Sequence, residues 1–392
     1  MMLSLAYLIL FGMGFYFLFK ALKLPGLIGM LLAGVLIGPY GIDLLDSSLL
    51  AISSDLRMIA LIVILLRAGL GIKPRALKPL GGTLVRLSVL PVILEGFAIL
   101  LLAMMFFDFT FEQGGLLGFI IAAVSPAIVV PSMLRLMKEK IGETKRIPLL
   151  VLSAASIDDV IAITFFSVFL SAYFSLQSNW VLQIAMIPVA IILGILLGVI
   201  VGFVMIYVFN RFHFRDSQKV IMLLAAGIFM VSFSQSLESV IMIAALLGVM
   251  TVGIIITEKK EVLSQRLAIK FDKIWVLVEL FLFVLVGAAV NVQVALDVSI
   301  IGVFIILVGL CARIAGVYLA TINTGLKIKE KLFVGISFTP KATVQAAMGA
   351  IPLTLGIPGG DIILALSVFA ILVTAPMGAI GIQYGAKFLL NE

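Results

Sequence analysis

The sequence predicts an all-α polytopic membrane protein with about 13 transmembrane helices, and three observations support this. Hydrophobic residues make up 63% of the 392 residues and charged residues only 12%, which excludes a soluble domain and a disordered chain. Apolar runs of about 20 residues, the length that crosses a bilayer, recur along the whole chain. Basic residues are concentrated in every second connection between these runs.

Apolar windows of about 20 residues define the spans in chain order. We expect the first run to be a retained span and not a cleaved signal peptide, because no basic residue precedes it. No connection is long enough for a second domain, so we expect one transmembrane domain over 1–392. The predicted spans are approximately 3–19, 25–42, 54–72, 80–107, 115–134, 148–174, 181–209, 220–236, 240–257, 274–291, 298–321, 332–354 and 361–386.

The connections alternate in charge. The odd-numbered connections hold 21 of the 27 basic residues and the even-numbered ones hold none. The positive-inside rule therefore predicts a cytoplasmic C-terminus and an external N-terminus. The net charge of +7 then comes mainly from the basic connections that set the orientation in the membrane. We therefore expect membrane lipids, and no nucleic acid, around the protein. We assign it to the inner (plasma) membrane of a bacterium.

Two adjacent carboxylates, Asp158 and Asp159, interrupt the sixth apolar run. Asp158 lies about eleven residues into the run, or about 16 Å deep, near the centre of the hydrocarbon core. An ionised Asp there costs at least about 2.5 kcal/mol, and such residues usually serve ion or proton transfer. The pair therefore predicts a site that exchanges a cation for protons.

Helix geometry separates the roles of the two aspartates. Neighbouring helical residues point about 100° apart, so only one of them faces a given point directly. We predict Asp159 as the primary Na⁺ ligand and Asp158 as its neighbour. Hard oxygen ligands suit a hard cation, so the hydroxyls of Ser125 and Ser156 are the predicted supporting ligands.

Two spans contain helix-breaking sequence. Proline removes a backbone donor and clashes with the preceding turn, so we expect an unwound stretch in the fifth span and another in the twelfth. Such backbone survives at membrane depth only inside protein or beside a cavity. The residues assigned to the crossing of these two broken helices are Pro126 and Pro131 in the first, and Thr339, Pro340, Lys341 and Gln345 in the second.

The two breaks occupy matching positions if spans 1–6 and 8–13 form two six-helix repeats. Spans that are seven positions apart in the chain cross the membrane in opposite directions, so the two repeats are inverted relative to each other. The ion site is expected at the midplane between them. The first repeat covers about 1–175 and the second about 219–390. The seventh span, about 181–209, links them.

Three further charges lie at mid-depth: Glu95, Arg313 and Lys341. Arg313 pairs either with Glu95, as an intramembrane ion pair, or with one of the aspartates. Arginine stays protonated in either case, so proton transport falls on carboxylates. Lys341 either compensates the negative ends of the broken helices or takes part in coupling.

The ordered set of these motifs resembles the monovalent cation:proton antiporter superfamily, and specifically its NHA-like branch of sodium/proton antiporters. The resemblance covers nearly the whole chain. The segments that carry it are Leu66-Arg67-Ala68-Gly69-Leu70-Gly71, Val85-Arg86-Leu87-Ser88 with Glu95, Ser125-Pro126-Ala127-Ile128-Val129-Val130-Pro131-Ser132-Met133, Ser156-Ile157-Asp158-Asp159-Val160, Arg313, and Pro340-Lys341-Ala342-Thr343-Val344-Gln345-Ala346-Ala347.

The resemblance implies an NhaA-like antiporter fold, a homodimer and an elevator-like alternating-access cycle. It also implies that Asp158 and Asp159 exchange Na⁺ or Li⁺ for protons, with no cofactor and no enzymatic activity. Two positions depart from the wider superfamily. Many relatives have Thr-Asp-Pro where this chain has Ser125-Pro126, and many electrogenic relatives have Lys in place of Arg313, so their stoichiometry does not transfer.

Two alternatives compete with sodium/proton antiport. A potassium-selective antiporter or a channel-like pathway uses the same oxygen ligands, which do not fix the size of the cation. An intramembrane aspartyl protease also needs two carboxylates. Its carboxylates face each other across a water molecule, a geometry that neighbours on one helix do not provide.

Overall fold

The computed structural model describes residues 1–72, 81–174, 180–237 and 243–390. All regular secondary structure in these ranges is helical. The helices are α1 Met2–Ala21, α2 Gly26–Ile37, α3 Ser47–Ala51, α4 Ser53–Gly71, α5 Gly81–Phe107, α6 Phe111–Ala122, α7 Pro126–Lys138, α8 Ile147–Phe174, α9 Trp180–Arg211, α10 Asp216–Leu237, α11 Ala245–Lys259, α12 Glu261–Ala288, α13 Val292–Ala320, α14 Ile328–Ser337, α15 Thr343–Met348, α16 Ile351–Thr354 and α17 Gly360–Leu389.

The helices confirm the predicted membrane class. Within the described ranges, 8 helical segments are long and apolar enough to cross a membrane, and Gly26–Ile37 is a shorter apolar helix. Each predicted span overlaps one helix or the parts of a broken one. The basic residues Lys73, Arg75 and Lys78 of the third connection lie outside the described residues, as does the predicted repeat boundary at 175.

Polar side chains cap the N-termini of α3 and α6. Thr110 and Gln113 form a capping box on α6, in which each side chain accepts a backbone N–H of the other. Asp46 caps α3 by accepting the Ser48 N–H at 2.8 Å. This bond, together with the Ser48 hydroxyl and the terminal amine, lowers the pKa of Asp46 to about 2. The second oxygen of Asp46 pairs with the terminal amine of Met1 at 3.2 Å.

The chain divides into two compact units. The first contains 1–57, 80–163 and 280–392. In it, α5 packs along α13 and α6, and α17 packs against α13 and α14. Glycines permit the closest approaches: Gly118 on α6 lies against the backbone of Gly96 on α5, and Gly316 on α13 lies against Pro91.

The second unit contains 58–79 and 164–279. Its main packing joins α9 to α11. Gly194 and Gly198 on α9 approach the backbone carbonyls of Ala244 and Gly248. Small residues at a spacing of four bring membrane helices into direct backbone contact in this way.

Both predicted helix breaks are present in the first unit. The chain leaves helical geometry between α6 and α7, and again between α14 and α15. The two unwound stretches contact each other, since the N–H of Ser125 donates to the carbonyl of Pro340 at 2.8 Å. This bond satisfies two backbone groups that neither helix can pair internally.

Three of the residues assigned to the crossing lie in helices instead. Pro126 occupies the first turn of α7, where its missing N–H costs nothing, but Pro131 lies in the interior of the same helix. The prediction that Pro131 belongs to the break is therefore wrong: the helix continues through this exposed proline, which removes only one helical hydrogen bond. Gln345 lies within α15, while Thr339, Pro340 and Lys341 are in the unwound stretch.

The contact between Gly118 and Gly96 predicts opposite effects for two glycine substitutions. A Cβ at Gly118 meets backbone, which cannot move aside, so Gly118→Ala should lower the free energy of unfolding by about 1–3 kcal/mol. Gly14 on α1 is the matched control, because its added Cβ meets nothing within 4 Å and alanine favours the helix. Thermal unfolding in detergent measures both. Equal stability of the two variants would contradict the close packing.

Candidate functional site

Asp158 is fully buried on α8, and both of its carboxylate oxygens are occupied. Its Oδ1 accepts from Nη1 of Arg313 at 3.1 Å. Its Oδ2 accepts the backbone N–H of Val124, in the unwound stretch before α7, also at 3.1 Å. Asp158 therefore links Arg313 on α13 to the unwound stretch between α6 and α7.

Asp159 has a different environment. Its side chain is 4% exposed, and its Oδ1 is buried with no hydrogen-bond partner in the described part of the chain. A buried carboxylate oxygen without a donor is costly unless a proton or a cation occupies it. Of the two adjacent acids, Asp159 thus offers the available oxygen.

Arg313 contacts both of its predicted alternatives. Its Nε donates to Oε2 of Glu95, while Nη1 donates to Asp158. The third donor, Nη2, reaches the carbonyl of Ala122 at the end of α6. One fully buried guanidinium therefore ties together α5, α6 and α8, because its planar fork presents donors in several directions.

Lys341 belongs to the same cluster. Its Nζ lies 2.7 Å from Oε2 of Glu95, the oxygen that Arg313 also contacts. We call Glu95, Asp158, Arg313 and Lys341 the charge cluster; in their ordinary ionised forms its two acids and two bases sum to zero. All four side chains are fully buried, so each charge depends on its neighbours for compensation.

Two of the predicted crossing residues cap the end of α6. Nζ of Lys341 donates to the carbonyl of Ala122 at 3.1 Å. The amide of Gln345 donates to three more carbonyls, those of Ile120 at 2.8 Å, Ile121 at 3.2 Å and Ala123 at 2.9 Å. The end of a broken helix carries partial negative charge and unpaired carbonyls, which these donors satisfy.

Sequence reasoning missed one residue that holds the crossing. Thr374 on α17 accepts the backbone N–H of Lys341 at 2.9 Å and thereby fixes the unwound stretch. A single threonine inside an apolar run carries no signal that would have identified it. The hydroxyl of Ser125, a predicted ligand, is buried without a partner, while the side chain of Ser156 lies outside the described residues.

Unpartnered oxygens are concentrated around the crossing. Such atoms suit a hard monovalent cation, which prefers carboxylate, hydroxyl and amide oxygens. Over the described residues, no group of three His, Cys, Asp or Glu side chains is arranged to hold a metal ion. In the described part of the chain, the buried side-chain oxygens without a partner are Glu95 Oε1, Ser125 Oγ, Asp159 Oδ1, Thr343 Oγ1 and Gln345 Oε1.

Oε2 of Glu95 contacts both Arg313 and Lys341, so removal of the charge of Glu95 should affect stability. Glu95→Gln leaves two buried cations facing one acid and should lower the free energy of unfolding by about 3–5 kcal/mol. Glu95→Gln with Lys341→Met restores neutrality and should recover part of the loss.

An isolated Glu95–Arg313 ion pair would respond differently to an exchange of its two charges. A charge exchange, Glu95→Arg with Arg313→Glu, would then restore stability. In the cluster it should not, because residue 95 also faces Lys341 and residue 313 also faces Asp158. Thermal unfolding of the variants separates the two arrangements, and rescue by the charge exchange would contradict the cluster.

Comparison with known proteins identifies the family. Residues 6–384 match the family model of the transmembrane sodium/hydrogen exchangers. The chain is 34% identical to human sodium/hydrogen exchanger 9B2, over 94% of this chain and 70% of that protein, and 33% identical to human sodium/hydrogen exchanger 9B1, over 91% and 71%.

A solved structure shares the fold. The sodium proton antiporter MjNhaP1 from Methanocaldococcus jannaschii superposes with a TM-score of 0.85, at 21% sequence identity and with coverage of 100% of this chain and 99% of that one. The all-helical fold is therefore that of the MjNhaP1 antiporter, and the family is one of transporters, not of enzymes. The chain belongs to the sodium/hydrogen exchanger family.

Proposed function

We propose that this exchanger binds Na⁺ or Li⁺ and protons in competition at Asp159, with Asp158 as its neighbour. The observation that supports this most directly is the contrast between the two acids. Both oxygens of Asp158 are held by Arg313 and Val124, whereas Oδ1 of Asp159 is buried and unpaired. Either a proton or a cation satisfies that oxygen, and the two cannot occupy it together.

The ligands proposed for the cation come from two elements. Asp159 contributes a carboxylate oxygen from α8, Ser125 a hydroxyl from the unwound stretch, and Ser156 a second hydroxyl by its sequence position. Asp158 holds these two elements together, because it accepts the N–H of Val124 in the stretch that also carries Ser125. When the cation leaves, a proton takes its place on the carboxylate.

The wider architecture in this proposal follows the sequence and the family. It comprises 13 spans as two inverted six-helix repeats, a homodimer, and an elevator-like alternating-access cycle. The N-terminus is outside and the C-terminus cytoplasmic, in the inner membrane of a bacterium. The names of the relatives, sodium/hydrogen exchangers, support Na⁺ and protons as the exchanged ions.

The charge cluster bears on stoichiometry. Because its four charges already compensate each other, Asp158 cannot give up its negative charge without leaving Arg313 and Lys341 in excess. We therefore propose that Asp159 alone exchanges, with one cation moved for each proton. Such exchange carries no net charge across the membrane.

Asp159→Asn tests the proposed site. In proteoliposomes with an imposed pH gradient, Na⁺ or Li⁺ should dissipate the gradient through the wild type, and the variant should lose at least about 100-fold of this activity because an amide exchanges no proton. Asp297→Asn is the matched control, since Asp297 is an exposed acid on α13. Unchanged transport by Asp159→Asn would refute the site, and equal activity with K⁺ would favour the potassium-selective alternative.

The membrane potential tests the stoichiometry. Vesicles with a fixed pH gradient should show the same initial rate of Na⁺-driven proton movement with and without a valinomycin-induced potential. A rate that changes severalfold with the sign of the potential would show that net charge moves. Na⁺ current without proton movement would instead identify a channel-like pathway.

A further inference from the structure

A second fully buried arginine lies far along the chain from the charge cluster. Arg57 is the fifth residue of α4, and its side chain is 3% exposed. Its Nη1 is buried and has no hydrogen-bond partner, and Arg57 forms no ion pair with any described residue. Arg313, with the same chemistry and the same burial, instead contacts Glu95, Asp158 and Ala122. The proposed exchange mechanism has no role for Arg57.

The nearby acids in the first unit do not compensate Arg57. Asp55 lies two residues earlier on α4, about 200° around the helix, and is exposed. Asp46 already pairs with the terminal amine and caps α3, and Asp43 is exposed. A guanidinium remains charged in proteins, and a buried charge without a partner is strongly destabilising. A ligand of opposite charge would supply the partner that Nη1 of Arg57 lacks.

The position of Arg57 strengthens this conclusion. Side chains on a helix lean toward its N-terminus, and this tendency directs Arg57 toward the first turn of α4. The free N–H groups of that turn and the positive end of the helix dipole attract an anion to the same place. The side chain of Arg57 is 3% exposed, and this burial favours a small ion over a lipid headgroup or a large organic acid.

We propose that Arg57 and the first turn of α4 bind a small inorganic anion, for which chloride is the probe. The site is separate from the cation site and does not depend on the proposed function. In the topology inferred from the basic connections, this end of α4 faces the outside, so the anion enters from the external solution.

Anion-dependent unfolding tests the proposal on the purified full chain. At constant Na⁺ concentration and ionic strength, replacing gluconate by chloride should raise the unfolding temperature of the wild type by about 2–4 °C, because a ligand stabilises the state that binds it. Arg57→Gln should abolish this shift. In gluconate it should be at least as stable as the wild type, since it removes a buried charge.

Two controls isolate the site. Arg86→Gln removes an exposed arginine on α5, and Asp159→Asn removes the proposed cation ligand; both should keep the full chloride effect. Arg57→Met removes the charge and keeps an apolar side chain of moderate length, and it should abolish chloride binding in a direct assay with radiolabelled chloride. This variant keeps the test decisive if Arg57→Gln does not fold.

Each result bears directly on the proposal. No chloride effect on the wild type would show that water alone satisfies Arg57, and would overturn the site. An equal effect in Arg57→Gln, or unchanged chloride affinity in Arg57→Met, would place the anion elsewhere. Loss of the effect in the Arg57 variants alone would establish it.

Discussion

The structure around the crossing depends on one constraint: charges and unpaired backbone groups in the interior of a membrane protein must compensate each other. Two broken helices place carbonyl groups where no water reaches them, and four ionisable side chains lie beside them. Arg313 and Lys341 both donate to the carbonyl of Ala122 and to Glu95. The same cations thus satisfy the broken helix and the acids.

This shared compensation explains why the two acids of one sequence motif differ. Asp158 is part of a neutral cluster, and its bonds to Arg313 and Val124 keep it in place. Asp159 is one residue further along α8, so it points away from these donors and keeps an unpaired oxygen. A site that holds either a cation or a proton requires such an oxygen. The fixed acid and the available acid therefore have complementary roles.

Much of this arrangement could be predicted from the sequence. The long apolar runs predicted the helices, because an α-helix satisfies all of its backbone hydrogen bonds within one segment. The prolines predicted both unwound stretches. The four charged residues Asp158, Asp159, Glu95 and Arg313 were predicted to lie at the same depth in the membrane. Position along a helix fixes depth to within a turn, so these predictions needed no knowledge of packing.

Other features depend on three-dimensional contacts that sequence position does not reveal. Whether Arg313 pairs with Glu95 or Asp158 was left open because the answer depends on helix rotation, and the guanidinium contacts both. Pro131 lies within a helix, because a proline removes one helical hydrogen bond and does not by itself decide where the chain unwinds. Neither the bond from Lys341 to Thr374 nor the isolation of Arg57 has a sequence signature.

The central claim is that a cation and a proton compete for one buried oxygen. Calorimetric titration of the purified protein with NaCl, repeated in buffers of different ionisation enthalpy, counts the protons released per Na⁺ bound. The account predicts that this count approaches one as the pH is lowered and the site becomes protonated, with Na⁺ affinity falling in parallel. Na⁺ binding with no proton release and constant affinity at every pH would contradict it.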